Sequence, residues 1–167
     1  MAEEITKKID RRELFSSLTS SFKEEDKIII RPPYYKDEDD FHKYCIECID
    51  KPCINICEEQ IIKLSSDDTV ELDLSKSGCT YCDECAEICP TDLLKIENIA
   101  NINAKIEIDI LKCLSWHNTM CFSCKEPCLD NAINFIGLFR PEIISNKCTS
   151  CGFCISKCPV EAIKISR

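Results

Sequence analysis

Residues 79–90 read Cys79-Thr80-Tyr81-Cys82-Asp83-Glu84-Cys85-Ala86-Glu87-Ile88-Cys89-Pro90, and residues 148–159 read Cys148-Thr149-Ser150-Cys151-Gly152-Phe153-Cys154-Ile155-Ser156-Lys157-Cys158-Pro159. Both have the form C-x2-C-x2-C-x3-C-P. Two looser copies stand with them. Cys45, Cys48, Cys53 and Cys57 are spaced C-x2-C-x4-C-x3-C, and Cys113, Cys121, Cys124 and Cys128 are spaced C-x7-C-x2-C-x3-C. The four groups use all 16 cysteines of the 167-residue chain. Their leading residues, Cys45, Cys79, Cys113 and Cys148, recur at intervals of 34, 34 and 35 residues. A fixed period of this length marks a repeated supersecondary unit.

The repeat extends beyond cysteine. Val70–Leu74, Ile106–Ile110 and Glu142–Ile144 alternate, or nearly alternate, apolar and polar residues ahead of groups two to four, which predicts short strands. A short helical turn is expected after each fourth cysteine, at 58–62, 90–94, 129–133 and 159–163. Pro90 and Pro159 suit a first helical position there, where a missing N–H costs nothing. Each unit thus reads strand, cysteine loop, short helix, strand.

In a secreted chain this cysteine density would signal a disulfide scaffold. Met1–Asp10 has no apolar run and no small-residue cleavage site, however. Arg11-Arg12 leads into the polar stretch Ser16–Asp26, and not into the apolar stretch that a twin-arginine export signal requires. A reducing, cytoplasmic setting is therefore expected, where thiols serve as metal ligands before they form structural disulfides. Soft thiolates suit zinc and iron–sulfur clusters alike, so spacing has to separate them. Structural zinc takes C-x2-4-C pairs brought together from two places. A triple run with a lone fourth cysteine has no natural division into such pairs. It is instead the run in which three thiolates hold one cluster and the fourth reaches another. Four [4Fe–4S] clusters are expected. Groups one and three are read as lengthened ligand loops, with a [3Fe–4S] or labile cluster in group three as the alternative.

Other function classes recede. Asp and Glu number 30 against 21 Lys and Arg, a formal charge of −9. Non-specific nucleic-acid or anionic-membrane binding needs the opposite balance. Apolar runs such as Ile28-Ile29-Ile30 are far too short to span a bilayer. No dinucleotide or phosphate-loop motif and no catalytic triad stands out. An electron carrier or accessory protein is expected, not an independent enzyme.

In these features the chain resembles the dicluster bacterial ferredoxins, duplicated, and more narrowly the NapF family of ferredoxin-type proteins of periplasmic nitrate reductase systems. The resemblance is carried by Asp10-Arg11-Arg12, by Ile30-Arg31-Pro32-Pro33 and by Phe41 leading into Cys45. The long gap that ends in Cys121-x2-Cys124-x3-Cys128 and the closing Cys158-Pro159-Val160-Glu161-Ala162-Ile163 add to it. It covers nearly the whole length. Group one departs from the family spacing by two residues, Lys51 and Pro52 among them, which bears on the environment of the first cluster.

The resemblance implies an α+β fold. Two tandem dicluster ferredoxin-like units, at 31–100 and 101–167, would each wrap short β-hairpin strands and short helices around two [4Fe–4S] clusters. They would follow an N-terminal extension at 1–30. The partner it implies is the nitrate reductase catalytic subunit, bound in the cytoplasm before export, whose centres the protein would help assemble or reduce. The alternatives are a relay to a membrane-associated redox partner and a subunit of another anaerobic oxidoreductase complex.

If consecutive groups pair as in a dicluster ferredoxin, their fourth cysteines exchange. The first ligand set is then Cys45, Cys48, Cys53 and Cys89; the second is Cys79, Cys82, Cys85 and Cys57. The third is Cys113, Cys121, Cys124 and Cys158; the fourth is Cys148, Cys151, Cys154 and Cys128. A nested arrangement, group one with four and two with three, is compatible with the same spacings, and the tandem one is preferred.

Several further residues have two readings. Trp116, inside the long gap of group three, is either a lid that excludes water from a cluster or a loop side chain covering local apolar surface. His42 and His117 are read as non-ligands, because every group already has four thiolates. Tyr81, Phe122 and Phe153, within the ligand loops, are expected to pack against the cluster or core, with no electron-relay role. Asp37-Glu38-Asp39-Asp40 is read as a solvated acidic run or a patch for a basic partner. Ile5, Ile9, Leu14, Leu18 and Phe22 suggest a ragged amphipathic helix, either packed on the body or docked to a partner.

Overall fold

The computed structural model describes residues 28–167. The helix expected through Ile5–Phe22, and with it most of the 1–30 extension, lies outside the described residues. The chain opens on a strap that enters a π-helical turn at Phe41–Cys45. Then come α1 (Pro52–Ile56), β1 (Ile62–Leu64), β2 (Val70–Leu72) and α2 (Glu84–Glu87). After them follow β3 (Lys105–Ile108), β4 (Ile133–Ile136), β5 (Phe139–Ile143), α3 (Phe153–Ser156) and β6 (Ile163–Ser166). Among the described residues no helix is long and apolar enough to cross a membrane.

The strands form antiparallel pairs. β1 and β2 make a hairpin between groups one and two, with Ile62 opposite Leu72. β4 and β5 make the corresponding hairpin between groups three and four, with Ile133 opposite Ile143. Gly137, at φ +68°, supplies the left-handed residue of its turn. β3 pairs with β6, Ile106 opposite Ile165 and Ile108 opposite Ile163. The strand before group three thus meets the strand after group four. In the first half the strap takes a comparable position. Leu72 N–H donates to the Ile30 carbonyl at 2.7 Å, Lys95 N–H to that of Tyr34 at 2.8 Å and Ala100 N–H to that of Pro33 at 2.9 Å.

The expected strands appear, because alternation on a half-buried hairpin is a direct consequence of the pleat. The expected helices are displaced. Each fourth cysteine is followed by a tight turn, not a helix. Gln60, Asp92, Asn131 and Glu161, each the third residue past a fourth cysteine, stand at φ +54°, +56°, +47° and +50°. A left-handed residue stops right-handed propagation at once. The helices lie one step earlier, where α1, α2 and α3 carry the third cysteines Cys53, Cys85 and Cys154.

Two cores form around the cysteines. The larger joins Ile30, Tyr34 and Phe41 of the strap to Ile61, Ile62, Val70, Leu72, Leu74, Leu93, Leu94 and Ile102, with Cys45, Cys53 and Cys85 among them. The smaller consists of Ile106, Ile133 and Ile163 with Cys124 and Cys154. Ile155 and Ile165 pack against both.

Candidate metal centre

The third cysteine of each group is buried, held there by a short helix in groups one, two and four. The thiols whose charges press on Cys53 are Cys45, Cys89 and Cys48. On Cys85 they are Cys79, Cys53, Cys82 and Cys57. Cys113, Cys121 and Cys158 press on Cys124, and Cys151, Cys148, Cys124 and Cys128 press on Cys154. In both halves, therefore, third and fourth cysteines of one group lie near enough to act on the third cysteine of the other.

Burial dominates the chemistry of these thiols. It pushes Cys53, Cys124 and Cys154 up to about 12 and Cys79 up to about 11, and it raises Cys85 further. A thiolate is disfavoured in an apolar pocket unless a cation compensates it. Two apolar-walled cavities lie among them. One is lined by Cys57, Cys79, Cys82 and Cys85 together with Pro32, Tyr34, Ile61 and Leu72. The other is lined by Cys128, Cys148, Cys151 and Cys154 with Ile106, Ala132 and Ile133. Among the described residues no three His, Cys, Asp or Glu side chains converge as they would on a single metal ion. Four soft thiols around an apolar void suit a polynuclear iron–sulfur group.

The turns past the fourth cysteines serve these sulfurs. Ala132 N–H donates to Cys128 Sγ and Ala162 N–H to Cys158 Sγ, each at 3.2 Å. The left-handed residue just before each alanine turns its amide back toward the thiol. In group two, the Thr91 hydroxyl lies 3.6 Å from Cys89 Sγ. Hydrogen bonds of this kind stabilise negative sulfur and tune a cluster's potential.

Comparison with known proteins agrees with this chemistry. A 4Fe-4S dicluster domain model matches residues 44–93, and a 4Fe-4S binding domain model matches residues 141–164. The ferredoxin-type protein NapF of Escherichia coli K12 is 31% identical over 138 residues, covering 80% of this chain and 82% of that protein. The chain belongs to the NapF family of ferredoxin-type proteins. NapF of Haemophilus influenzae is 28% identical, covering 82% of this chain and 78% of its own length. NapG of Escherichia coli K12 is also 28% identical, over 81% of this chain and 69% of that protein. The NapF-family chain is thus an iron–sulfur protein with [4Fe–4S]-binding domains.

In this NapF-family chain the Arg-Pro-Pro segment has a structural purpose. Arg31 is buried, and its Nη1 donates to Thr69 Oγ1 at 2.5 Å and to the Val70 carbonyl at 2.7 Å. Its Nη2 lies 3.3 Å from Asp67, and its Cζ sits 4.5 Å from the centre of the Phe41 ring. Desolvation raises the Asp67 carboxyl, but hydrogen bonds from Thr69 and the Arg31 guanidinium outweigh it and hold the group down at about 2. Arg31 thereby staples the strap to the β1–β2 hairpin beside Cys45, whose thiol feels its charge. Glu38 is not simply solvated. It pairs with Arg31 at 3.8 Å and with Arg167 at the end of the chain.

The extra residues of group one form a cap. Lys51 takes φ +38° ahead of Pro52, the first residue of α1, and its Nζ reaches the Cys48 carbonyl at 2.9 Å. Trp116 is half-buried in a 3-10 turn, Leu114–His117, with its Nε1–H donating to the Pro141 carbonyl at 3.3 Å. His117 is exposed and bonds the Leu111 carbonyl; His42 is exposed and 3.8 Å from Asp67. Neither faces a thiol set through these contacts. Phe122 packs tilted against Phe135, with ring centres 4.8 Å apart. Tyr81 does more than pack. Its hydroxyl bonds Thr149 and Ile102, both of the second half, and burial raises it to about 12, so it keeps its proton. That role went unread in the sequence, although the chain's scarce glycines mark the place.

Proposed function

We propose that the protein carries four [4Fe–4S] clusters as two tandem dicluster units and acts as a cytoplasmic one-electron carrier and maturation accessory for a periplasmic nitrate reductase catalytic subunit. The ligand sets are Cys45, Cys48, Cys53 and Cys89; Cys79, Cys82, Cys85 and Cys57; Cys113, Cys121, Cys124 and Cys158; and Cys148, Cys151, Cys154 and Cys128. One observation carries the reading: Cys57 lines one cavity with Cys79, Cys82 and Cys85, and Cys128 lines the other with Cys148, Cys151 and Cys154. The match of residues 44–93 to a dicluster domain supports the pairing of groups one and two. The partner rests on the NapF family membership.

A bound [4Fe–4S] cluster supplies one-electron chemistry. The chain's residues hold it and set its environment. Apolar walls at Ile61, Leu72, Ile106 and Ile133 line the cavities among the thiols. The Ala132 and Ala162 amides donate to the sulfurs on the exchanged cysteines.

Anaerobic iron analysis tests the cluster count, with about 16 irons per chain expected, four for each set. A colourless zinc protein overturns the reading. Anaerobic capture of the unexported catalytic subunit is the expected partner result. Failure of that capture, with electron exchange to a membrane-associated redox partner instead, replaces the maturation role with a relay.

A further inference from the structure

Two of the chain's 3 glycines stand beside cysteines of different halves, Gly78 next to Cys79 and Gly152 next to Cys151. A Cβ on Gly78 would lie 2.5 Å from the Phe153 backbone nitrogen, and one on Gly152 would lie 2.8 Å from the Leu74 side chain. No side chain fits where these two ligand loops close on each other. Within that contact Cys79 N–H donates to the Cys151 carbonyl at 2.7 Å. Beside it the Tyr81 hydroxyl donates to the Thr149 carbonyl at 2.6 Å and accepts the Ile102 N–H at 3.1 Å. Tyr81 stands at φ +57°, which a bulky residue rarely adopts. Such strain persists where surrounding bonds over-determine it, often at functional positions.

We propose that the Cys79–Cys151 contact is the crossing point for electrons between the two halves, so that the ligand sets are connected in the order first, second, fourth, third. This rests on the four ligand sets proposed above. Cys57 and Cys89 link the first and second sets within one half, and Cys128 and Cys158 link the third and fourth within the other. Cys79 belongs to the second set and Cys151 to the fourth. A few covalent bonds on either side of one hydrogen bond join their sulfurs. The charge of Cys151 is also among those acting on Cys79. What crosses is one electron: the donor site is oxidised by one and the acceptor site reduced by one, with no bond made or broken and no proton moved in the peptides between. Tyr81 is a positioning residue that clamps the two loops at this spacing. The first and third sets are then the ends of the chain, where outside partners exchange electrons.

The test uses the full chain, loaded with iron and sulfide anaerobically and reduced with dithionite. The double variant Cys48→Ser with Cys121→Ser removes the end sets and is expected to keep about eight irons. Its low-temperature electron paramagnetic resonance spectrum is expected to show the two remaining centres broadened by mutual spin coupling. Cys82→Ser with Cys148→Ser removes the middle sets, and narrow, uncoupled signals are expected. Uncoupled signals in the first variant, or coupled ones in the second, overturn the order. If the serine variants lose further iron, Gly78→Ala with all cysteines in place gives the answer. At about 16 irons, weakened coupling between halves supports the crossing point, and unchanged coupling overturns it. Should Gly78→Ala also lose iron, Tyr81→Phe is read in the same way. An unaltered chain that does not hold about 16 irons overturns the cluster reading itself, a result distinct from an intact chain with uncoupled middle centres.

Discussion

The two halves carry matching cysteine groups but are built unequally. In the first, the strap from Ile30 to Phe41 closes over the thiols, Arg31 pins it to the hairpin, and a broad set of aliphatic side chains fills the space between. In the second, three isoleucines and two cysteines make the buried core. The position four residues past each fourth cysteine shows the same contrast. It is Ile61 and Leu93 in the first half, Ala132 and Ala162 in the second, all of them buried. The first half adds side-chain packing to whatever its metal sites contribute. The second has less packing of its own to add.

Removal of iron is expected to have the largest effect and to separate the halves. Metal binding free energy in small metal domains is folding free energy. Chelation should therefore abolish most ordered structure by circular dichroism. Amide exchange should show residues 105–166 losing protection before residues 61–74. Simultaneous loss in both halves would break the comparison.

Ile61→Ala comes next. Ile61 is 2% exposed in the larger core and lines the cavity it shares with Cys57, Cys79, Cys82 and Cys85, so a cost of about 2–5 kcal/mol is expected. Arg31→Ala is expected to cost about 2–3 kcal/mol, because it removes several hydrogen bonds to a charged group and frees the strap. Both are read from denaturant midpoints of the visible cluster absorption. The expected signature is biphasic bleaching, with the first-half clusters shifted and the others in place. A uniform shift would mean that the halves unfold as one.

The cysteine groups were legible in the sequence because spacing along a chain is covalent geometry, and four repeats of it leave little freedom. The hairpin strands were legible for a related reason, since period-two alternation on Val70–Leu72 follows directly from the pleat. The turn after each fourth cysteine was misread as helix. Its left-handed residues are Gln60, Asp92, Asn131 and Glu161, and neither glutamine nor glutamate advertises that conformation. Arg31 carried the family resemblance, but its burial depends on Thr69 and Asp67, far along the chain. The junction at Gly78 and Gly152 was equally hidden, because a close approach between distant loops leaves only a small residue as its trace.

Loading should depend on pH in a direction set by the buried thiols. Their raised values mean that these thiols, wherever they are buried without metal, hold their protons. The stability this contributes is fully present below the ordinary thiol value of 9.0 and is lost as pH rises toward about 11 to 12. Iron must displace those protons, so loading releases acid and is favoured by higher pH. Reconstitution at pH 8.5, about one and a half units above neutrality, is expected to outpace that at pH 7. Proton release followed with an indicator dye checks it, and a rate independent of pH would contradict it.

Trp116→Phe is expected to have the smallest effect and decides between the two readings of that residue. The ring lies in the turn just past Cys113, the leading cysteine of the third set. Its Nε1–H bonds the Pro141 carbonyl on β5, and Arg140 stands 5.8 Å from its centre. These contacts tie the long gap of group three to the β4–β5 hairpin. The Phe variant keeps the apolar cover and loses one hydrogen bond, at a cost of about 0.5–1.5 kcal/mol. The midpoint of the second-half clusters should fall by that amount while their reduction potentials hold. A shift in potential without a loss of stability would instead make the indole N–H part of the electrostatic surroundings of the third set, because hydrogen bonding and solvent exposure are both levers on potential. The same measurement bears on the unequal halves. If one loop hydrogen bond visibly moves the second half, its stability rests on few contacts, as its small core implies.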